Sequence, residues 1–147
     1  MARFKARLAA VSATLTLAAG ALVATTTPAS AAGNFSFDYR PDANGFYNIY
    51  VRNLDQNASA GVARWWPDPL AGNPGDTIVA SDQLADGYGI ETHLSTSPSR
   101  IATTRGHASP YYDIASGNLP ENTQYWMFVC AVKGAEEHCS YSVAVRS

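Results

Sequence analysis

The stretch NLPENTQYWMFVCAVKGAEEHC, residues 118–139, decides the fold because apolar residues fill both parities of one extended run. Alternate side chains of a β-strand point to opposite faces of a sheet, so one parity faces a core and the other faces away. The parity predicted to face the core comprises Tyr125, Met127, Val129 and Ala131. The other parity carries Trp126, Phe128 and Cys130. We therefore predict a strand with two large aromatic side chains on its outer face.

The rest of the chain after residue 33 also alternates with a period of two, and turn residues separate its runs. No stretch keeps apolar residues at helical spacing over three turns, which argues against helices. The other predicted strands are residues 34–40, 46–54, 61–66, 77–80, 87–95, 99–107, 109–119 and 139–147. Many short strands in a chain of this length predict one all-β domain, a two-sheet sandwich over residues 32–147.

Residues 1–31 have the three parts of a secretory signal peptide. A basic start precedes an apolar stretch at residues 8–24, and Ala29-Ser30-Ala31 forms a small-residue cleavage site. A retained membrane anchor is the weaker alternative, because the apolar stretch is short and a processing site follows it at once. We expect the mature protein to have no membrane span and to be secreted and extracellular, with the cell wall as an alternative final location.

The charge of the mature chain excludes one class of partner. The signal peptide contains three of the ten Lys and Arg residues, so seven remain against twelve Asp and Glu residues, a net charge of −5. Binding of nucleic acid depends largely on Lys and Arg that neutralise phosphates. We therefore expect no nucleic-acid partner.

Cys130 and Cys139 are the only two cysteines, and in an oxidising compartment they are predicted to form a disulfide. The eight residues between them predict a long hairpin loop closed at its base by this bond. The two cysteines have conflicting parities. Cys130 lies on the outer parity of its strand, whereas Cys139 shares the parity of Tyr141 and Val143, which should face the core. A zinc site with His138 is the alternative, but no further ligand has a recognisable spacing. We predict no metal and no cofactor.

The second half of the chain, from Tyr88 onward, resembles the fibronectin type III family of immunoglobulin-like sandwiches. Residues 87–95 look like its third strand, residues 109–119 like its fifth, and the opening stretch like its sixth. The positions that match the family pattern are Leu119, Pro120, Thr123, Tyr125, Val129 and Ala131. In such sandwiches a tyrosine at the place of Tyr125 sends its hydroxyl back to the upstream backbone. The resemblance implies an adhesion or accessory binding module, with residues 32–45 as an extra N-terminal strand.

The outer face of the opening strand is the first candidate site. If Tyr88, Ile90 and Thr92 face the core on a neighbouring strand, Glu91 and His93 lie beside Trp126 and Phe128. Such amphipathic patches mark binding surfaces. The alternative is that the aromatic N-terminal segment, which includes Phe35, Phe37 and Tyr39, folds over this face and buries it.

The adjacent Trp65 and Trp66 are the second candidate, because an exposed indole can stack on a sugar or anchor a protein interface. One of them is expected in the core and the other at the surface. Trp66 with Pro69 matches the family spacing for the buried tryptophan, but it would turn Arg64 inward, whereas Trp65 would align with Ala63. The choice stays open at this point.

These features favour a small secreted binding module, without catalysis, that engages a polysaccharide or an extracellular protein through the outer aromatic patch and the disulfide-closed loop. The alternative function is inhibition of an extracellular protease or amylase through residues 133–138 or 65–75. A small secreted enzyme is the third hypothesis, and it lacks any motif that places a nucleophile beside a base. The aspartates at 68–86 also lack the glycine and closing glutamate of a calcium loop.

Overall fold

The computed structural model describes residues 33–70 and 72–147, so the predicted signal peptide, residues 1–31, lies outside the described residues. Every regular element of this part is a β-strand. The strands are β1 (Phe35–Pro41), β2 (Tyr47–Asn53), β3 (Ala58–Trp66), β4 (Thr77–Asp82), β5 (Gly89–Leu94), β6 (Arg100–Thr103), β7 (Tyr111–Ala115), β8 (Gln124–Lys133), β9 (Glu136–Cys139) and β10 (Val143–Arg146). Within the same residues, no helix has the length and apolar character needed to cross a bilayer.

The strands form two antiparallel sheets. The first sheet has the order β1-β2-β3-β4-β7, and the second has the order β10-β8-β5-β6 with β9 also paired to β8. The two sheets enclose one apolar core. The prediction of an all-β, two-sheet sandwich is confirmed, and the architecture is compatible with an immunoglobulin-like or fibronectin type III-like fold.

The core lies between the two sheets and follows the predicted parity. On β8, Met127, Val129 and Ala131 are completely buried, while Tyr125 packs at the margin of the core. Ile90 and Thr92 of β5 are buried beside them, as alternation requires. Among the hydrogen bonds of the described residues none uses the Tyr125 hydroxyl, so Tyr125 acts here by packing and not as an upstream anchor.

The segment between the cysteines is a tight hairpin, so the prediction of a long loop was wrong. Strand β9 pairs with β8 from Lys133 opposite Glu136 to Cys130 opposite Cys139, and the disulfide joins this last pair. Only two residues, Gly134 and Ala135, connect the strands. Gly134 has φ +59°, a left-handed conformation that glycine adopts without steric cost and that reverses the chain at once.

The conflict of cysteine parities is resolved between β9 and β10. The Val129 amide donates to the Ser140 hydroxyl at 3.1 Å, and the Ser140 amide donates to the Val129 carbonyl at 2.8 Å. Because the Ser140 side chain replaces one backbone acceptor, the regular pairing of backbone groups between the strands stops at this residue. The alternation of inward and outward side chains then starts again in β10. Tyr141 is consequently 87% exposed, and its predicted inward orientation was wrong.

The N-terminal strand β1 lies at the edge of the first sheet, beside β2. Its aromatic side chains Phe35, Phe37 and Tyr39 are half-buried against the core. They do not cover the outer face of β8, because Trp126 in that face is 49% exposed. The alternative in which the N-terminal segment buries this face was therefore wrong.

Just before β1, the backbone is held to the second sheet by Glu136. The Gly33 amide donates to the Tyr88 hydroxyl and to Glu136 Oε1, both at 2.9 Å, and the Tyr88 hydroxyl donates to the same carboxylate at 2.8 Å. The His138 ring lies 2.7 Å from that oxygen. Hydrogen bonds lower the pKa of Glu136 to about 2. The bond with His138 has the largest effect, followed by those from Gly33 and Tyr88.

Candidate functional site

Trp126 and Phe128 lie on the outer face of the second sheet, as their parity predicts. The strand register places Phe128 of β8 opposite His93 of β5, and His93 opposite Ile101 of β6. Three side chains thus form a row across three strands, with Trp126 beside it. Trp126 is 49% exposed and Ile101 is 45% exposed. We call Trp126, Phe128, His93 and Ile101 the aromatic face.

The centre of the aromatic face is a stacked pair of rings. The His93 and Phe128 ring centroids are 4.5 Å apart, and their planes differ by 2°. Parallel stacking of this kind fixes the orientation of both side chains. Because the rings already occupy one arrangement, a ligand that binds them pays little entropy to order them.

Charged side chains border the aromatic face on one side. Glu91 accepts hydrogen bonds from Arg105 Nε at 2.9 Å and from the Thr103 hydroxyl at 2.8 Å, and its other oxygen lies 3.5 Å from His93 Nε2. Arg105 also donates to the Gly134 carbonyl at 2.6 Å. Burial raises the pKa of Glu91, but the hydrogen bonds from Arg105 and Thr103 outweigh it and lower the pKa overall. The border is therefore an ion-pair network in which the Glu91 carboxylate already has hydrogen-bond partners.

Sequence reasoning missed Ile101, Thr103 and Arg105. They lie in the strand predicted for residues 99–107. The sequence alone gives neither the parity of that strand nor the strand it pairs with. The alternation of Ile101 and Thr103 was the available signal. Only the pairing of β6 with β5 shows that they lie beside His93 and Glu91.

The two adjacent tryptophans lie on opposite sides of the first sheet. Trp65 is completely buried, and its Nε1 donates to the Arg146 carbonyl at 3.2 Å. Trp65 therefore belongs to the core, and the prediction that it is a candidate binding residue was wrong. Trp66 and Arg64 face outward on the other parity of β3. The aromatic face thus unites Trp126, Phe128 and His93, bordered by Glu91, and Trp66 lies on the other sheet.

An acid, a base and a hydroxyl group line one hollow of about 370 Å³. These residues are Asp82, His107 and Ser109. The His107 ring stacks on the Tyr111 ring, with centroids 3.9 Å apart. No hydrogen bond of the described residues joins the His107 ring to Ser109 or Asp82. Activation of a hydroxyl nucleophile by a neighbouring base needs such a bond.

Comparison with known proteins identifies no relative: no protein-family model, curated protein or solved structure matches the chain.

Cys130 and Cys139 form the disulfide, and the described residues contain no free cysteine. In the same part of the chain, no three His, Cys, Asp or Glu side chains lie close enough together to hold a metal ion.

Proposed function

We propose that the chain is a small secreted binding module, without catalysis, that engages an extracellular protein through the aromatic face. The observation that carries this proposal is the row of Phe128, His93 and Ile101 beside a half-exposed Trp126. A contiguous apolar patch on a small domain marks an interaction surface more often than scattered apolar residues do. The fibronectin type III-like architecture, which implies adhesion and accessory modules, agrees with this proposal.

The composition of the face favours a protein over a polysaccharide as the partner. Its apolar centre is bordered by Glu91, Arg105 and, 3.4 Å from Arg105, Glu137. An apolar centre with a polar rim is the usual anatomy of a protein interface, and Trp and Arg dominate the energetics of such interfaces. Phe128 and His93 cover each other's ring planes, which leaves fewer flat surfaces for a sugar.

Inhibition of an extracellular hydrolase is the second candidate, and the loop after β3 is the observation that favours it. Leu70 and Asn73 exchange two backbone hydrogen bonds, at 3.1 and 2.9 Å, which hold these two residues against each other. The Leu70 side chain is exposed there. An exposed apolar side chain on a backbone held in this way suits the specificity pocket of an enzyme. The two-residue turn of the β8–β9 hairpin offers no comparable loop.

The experiment measures binding of residues 32–147 to a panel of purified secreted proteases and amylases, and to insoluble polysaccharides. The double variant Trp126→Ser with Phe128→Ser is compared with wild type, with Leu70→Ser and with the control Tyr141→Ser, at an exposed tyrosine outside the aromatic face. We expect a protein partner whose affinity falls at least about thirtyfold in the double variant alone.

Three other results would change the proposal. Enzyme inhibition that Leu70→Ser abolishes would support the inhibitor instead. Polysaccharide binding that the double variant abolishes would make the aromatic face a polysaccharide site. Binding that is the same in the double variant and wild type would remove the aromatic face from the function.

A further inference from the structure

The outer face of the first sheet carries three adjoining hollows, with volumes of about 410, 470 and 480 Å³. Trp66 lines both the first and the second hollow, and Tyr112 lines both the second and the third. An aromatic side chain therefore stands at each of the two boundaries. We call this series of hollows the Trp66 track. It lies on the side of the sandwich opposite the aromatic face.

The separation of the two rings sets the size of a ligand that contacts both. Trp66 of β3 is opposite Thr77 of β4, and Tyr112 of β7 is opposite Ser81 of β4. The two side chains are thus four residues apart along the strands and two strands apart across the sheet, which is about 16 Å between their Cα atoms. A single sugar ring is too small to reach both. A ligand that uses the whole track must be an extended chain.

Polar side chains along the track have open hydrogen-bonding capacity. Asn48 and Arg64 face each other on β2 and β3, and Ser81 lies next to Tyr112. Among the hydrogen bonds of the described residues, none uses the side chains of Asn48, Arg64 or Ser81. Flat aromatic rings with nearby free donors and acceptors suit a ligand that has apolar faces and many hydroxyl groups.

The charges along the track favour a neutral ligand. Arg64 lies near the middle and Asp42 lines the first hollow, whereas the Asp113 carboxylate accepts a hydrogen bond from the Thr103 amide of the other sheet. One arginine and one carboxylate balance each other along the track, so an anionic polymer would gain little from them on a chain of net negative charge. We propose that the Trp66 track is a second binding site, and that it takes a neutral, linear polysaccharide chain. This site shares no residue with the aromatic face, so it does not depend on the function proposed above.

The test measures co-sedimentation of residues 32–147 with cellulose, chitin, xylan and mannan, with anionic alginate for comparison. Trp66→Ala and Tyr112→Ala are compared with wild type, and Tyr141→Ala, at an 87% exposed tyrosine that belongs to neither site, serves as the control. Each track variant should lower the affinity for a neutral polysaccharide at least about tenfold, as expected for an aromatic anchor. The control should bind like wild type. Tyr112 is 64% exposed, so Tyr112→Ala tests binding without disturbing the core.

A titration with oligosaccharides of the bound polymer tests the chain length. In a Trp126→Phe background, the tryptophan that reports on a ligand is the half-buried Trp66, since Trp65 is completely buried. Affinity should rise with oligosaccharide length until one molecule spans both rings. Failure to bind any neutral polysaccharide, or binding that Tyr112→Ala leaves intact, would overturn the proposal. A monosaccharide that binds as tightly as the hexasaccharide would also contradict it.

Discussion

The two outer faces of the sandwich hold their aromatic side chains in different ways. On the second sheet, Phe128 is stacked on His93, and the neighbouring Glu91 is hydrogen-bonded to Arg105 and Thr103. On the first sheet, Trp66 and Tyr112 are separated by hollows. The Arg64 and Ser81 side chains in the hollow between these two rings make no hydrogen bonds among the described residues.

This difference indicates what each face requires of a ligand. A buried polar group left without a hydrogen bond costs about 1–3 kcal/mol. The polar groups beside the aromatic face already have partners, so an apolar protein surface can cover them at little cost. Those of the Trp66 track need new partners, and a hydroxyl-rich chain supplies them. Aromatic residues of similar exposure thus indicate different ligands once their polar neighbours are considered.

The largest expected effect separates the two adjacent tryptophans. Trp65→Ala should destabilise the protein by about 4 kcal/mol, because it leaves a cavity between the sheets and removes the hydrogen bond to the Arg146 carbonyl. Trp66→Ala should cost less, about 2 kcal/mol, because Trp66 is only half-buried on the outer face. Chemical denaturation of both variants gives the two values. Equal losses would mean that Trp66 is structural and would weaken the case for the track.

The next effect contrasts the two parities of β8. Val129→Ser should cost about 3 kcal/mol, because it puts a hydroxyl and a void into the core. The double variant Trp126→Ser with Phe128→Ser should cost under about 1 kcal/mol, since both side chains lie on the outer face. Urea unfolding curves measured side by side decide this. A double variant as unstable as Val129→Ser would show that the aromatic face stabilises the fold instead of binding a partner.

Reduction of the disulfide should have a smaller effect and should act on one face only. The closed loop is short, so its loss should lower the free energy of unfolding by roughly 2.5 kcal/mol and leave a cooperative transition. Strand β9 carries Glu137, which contacts Arg105 at the border of the aromatic face. Reduction should therefore weaken binding there and leave polysaccharide binding by the track unchanged. Thermal melts and both binding assays, with and without reductant, test this, and loss of track binding would contradict it.

The smallest effect concerns acid. Because the pKa of Glu91 is lower in the folded protein than its ordinary value of 4.5, ionised Glu91 stabilises the fold fully above that value. The stabilisation declines as the pH falls through the lowered pKa. Glu91→Gln should reduce the acid sensitivity of stability. Melting temperatures between pH 2 and 7 measure this, and parallel curves for wild type and Glu91→Gln would contradict it.

Local alternation was enough to predict most of the strands and the inner parity of β8, because a half-buried strand must place its apolar residues on one side. The same argument placed Glu91 and His93 beside Trp126 and Phe128. It was insufficient for β3, where both parities end in a tryptophan. The structure selects Trp65 because the small Gly61 and Ala63 share its inner side, which leaves room for an indole and keeps Arg64 in contact with solvent.

The remaining features depend on which strands become neighbours, and that is a long-range property. Ile101 joins the aromatic face only because β6 pairs with β5, and Tyr112 joins the Trp66 track only because β7 pairs with β4. Strand β9 was missed because Glu136 and Glu137 have little preference for strands. Pairing with β8 and the turn at Gly134 impose the extended conformation there.

The back-to-back arrangement of the two sheets has a consequence for how ligands combine. Sheets in a sandwich pack about 10 Å apart, and their outer faces point in opposite directions, so neither ligand obstructs the other. With a polysaccharide on one side and a protein on the other, the domain acts as a short rigid tether between them. Linking two binding events in this way raises the effective concentration of each partner near the other. If both proposed sites bind their ligands, a domain of this size would concentrate a protein along an insoluble polymer.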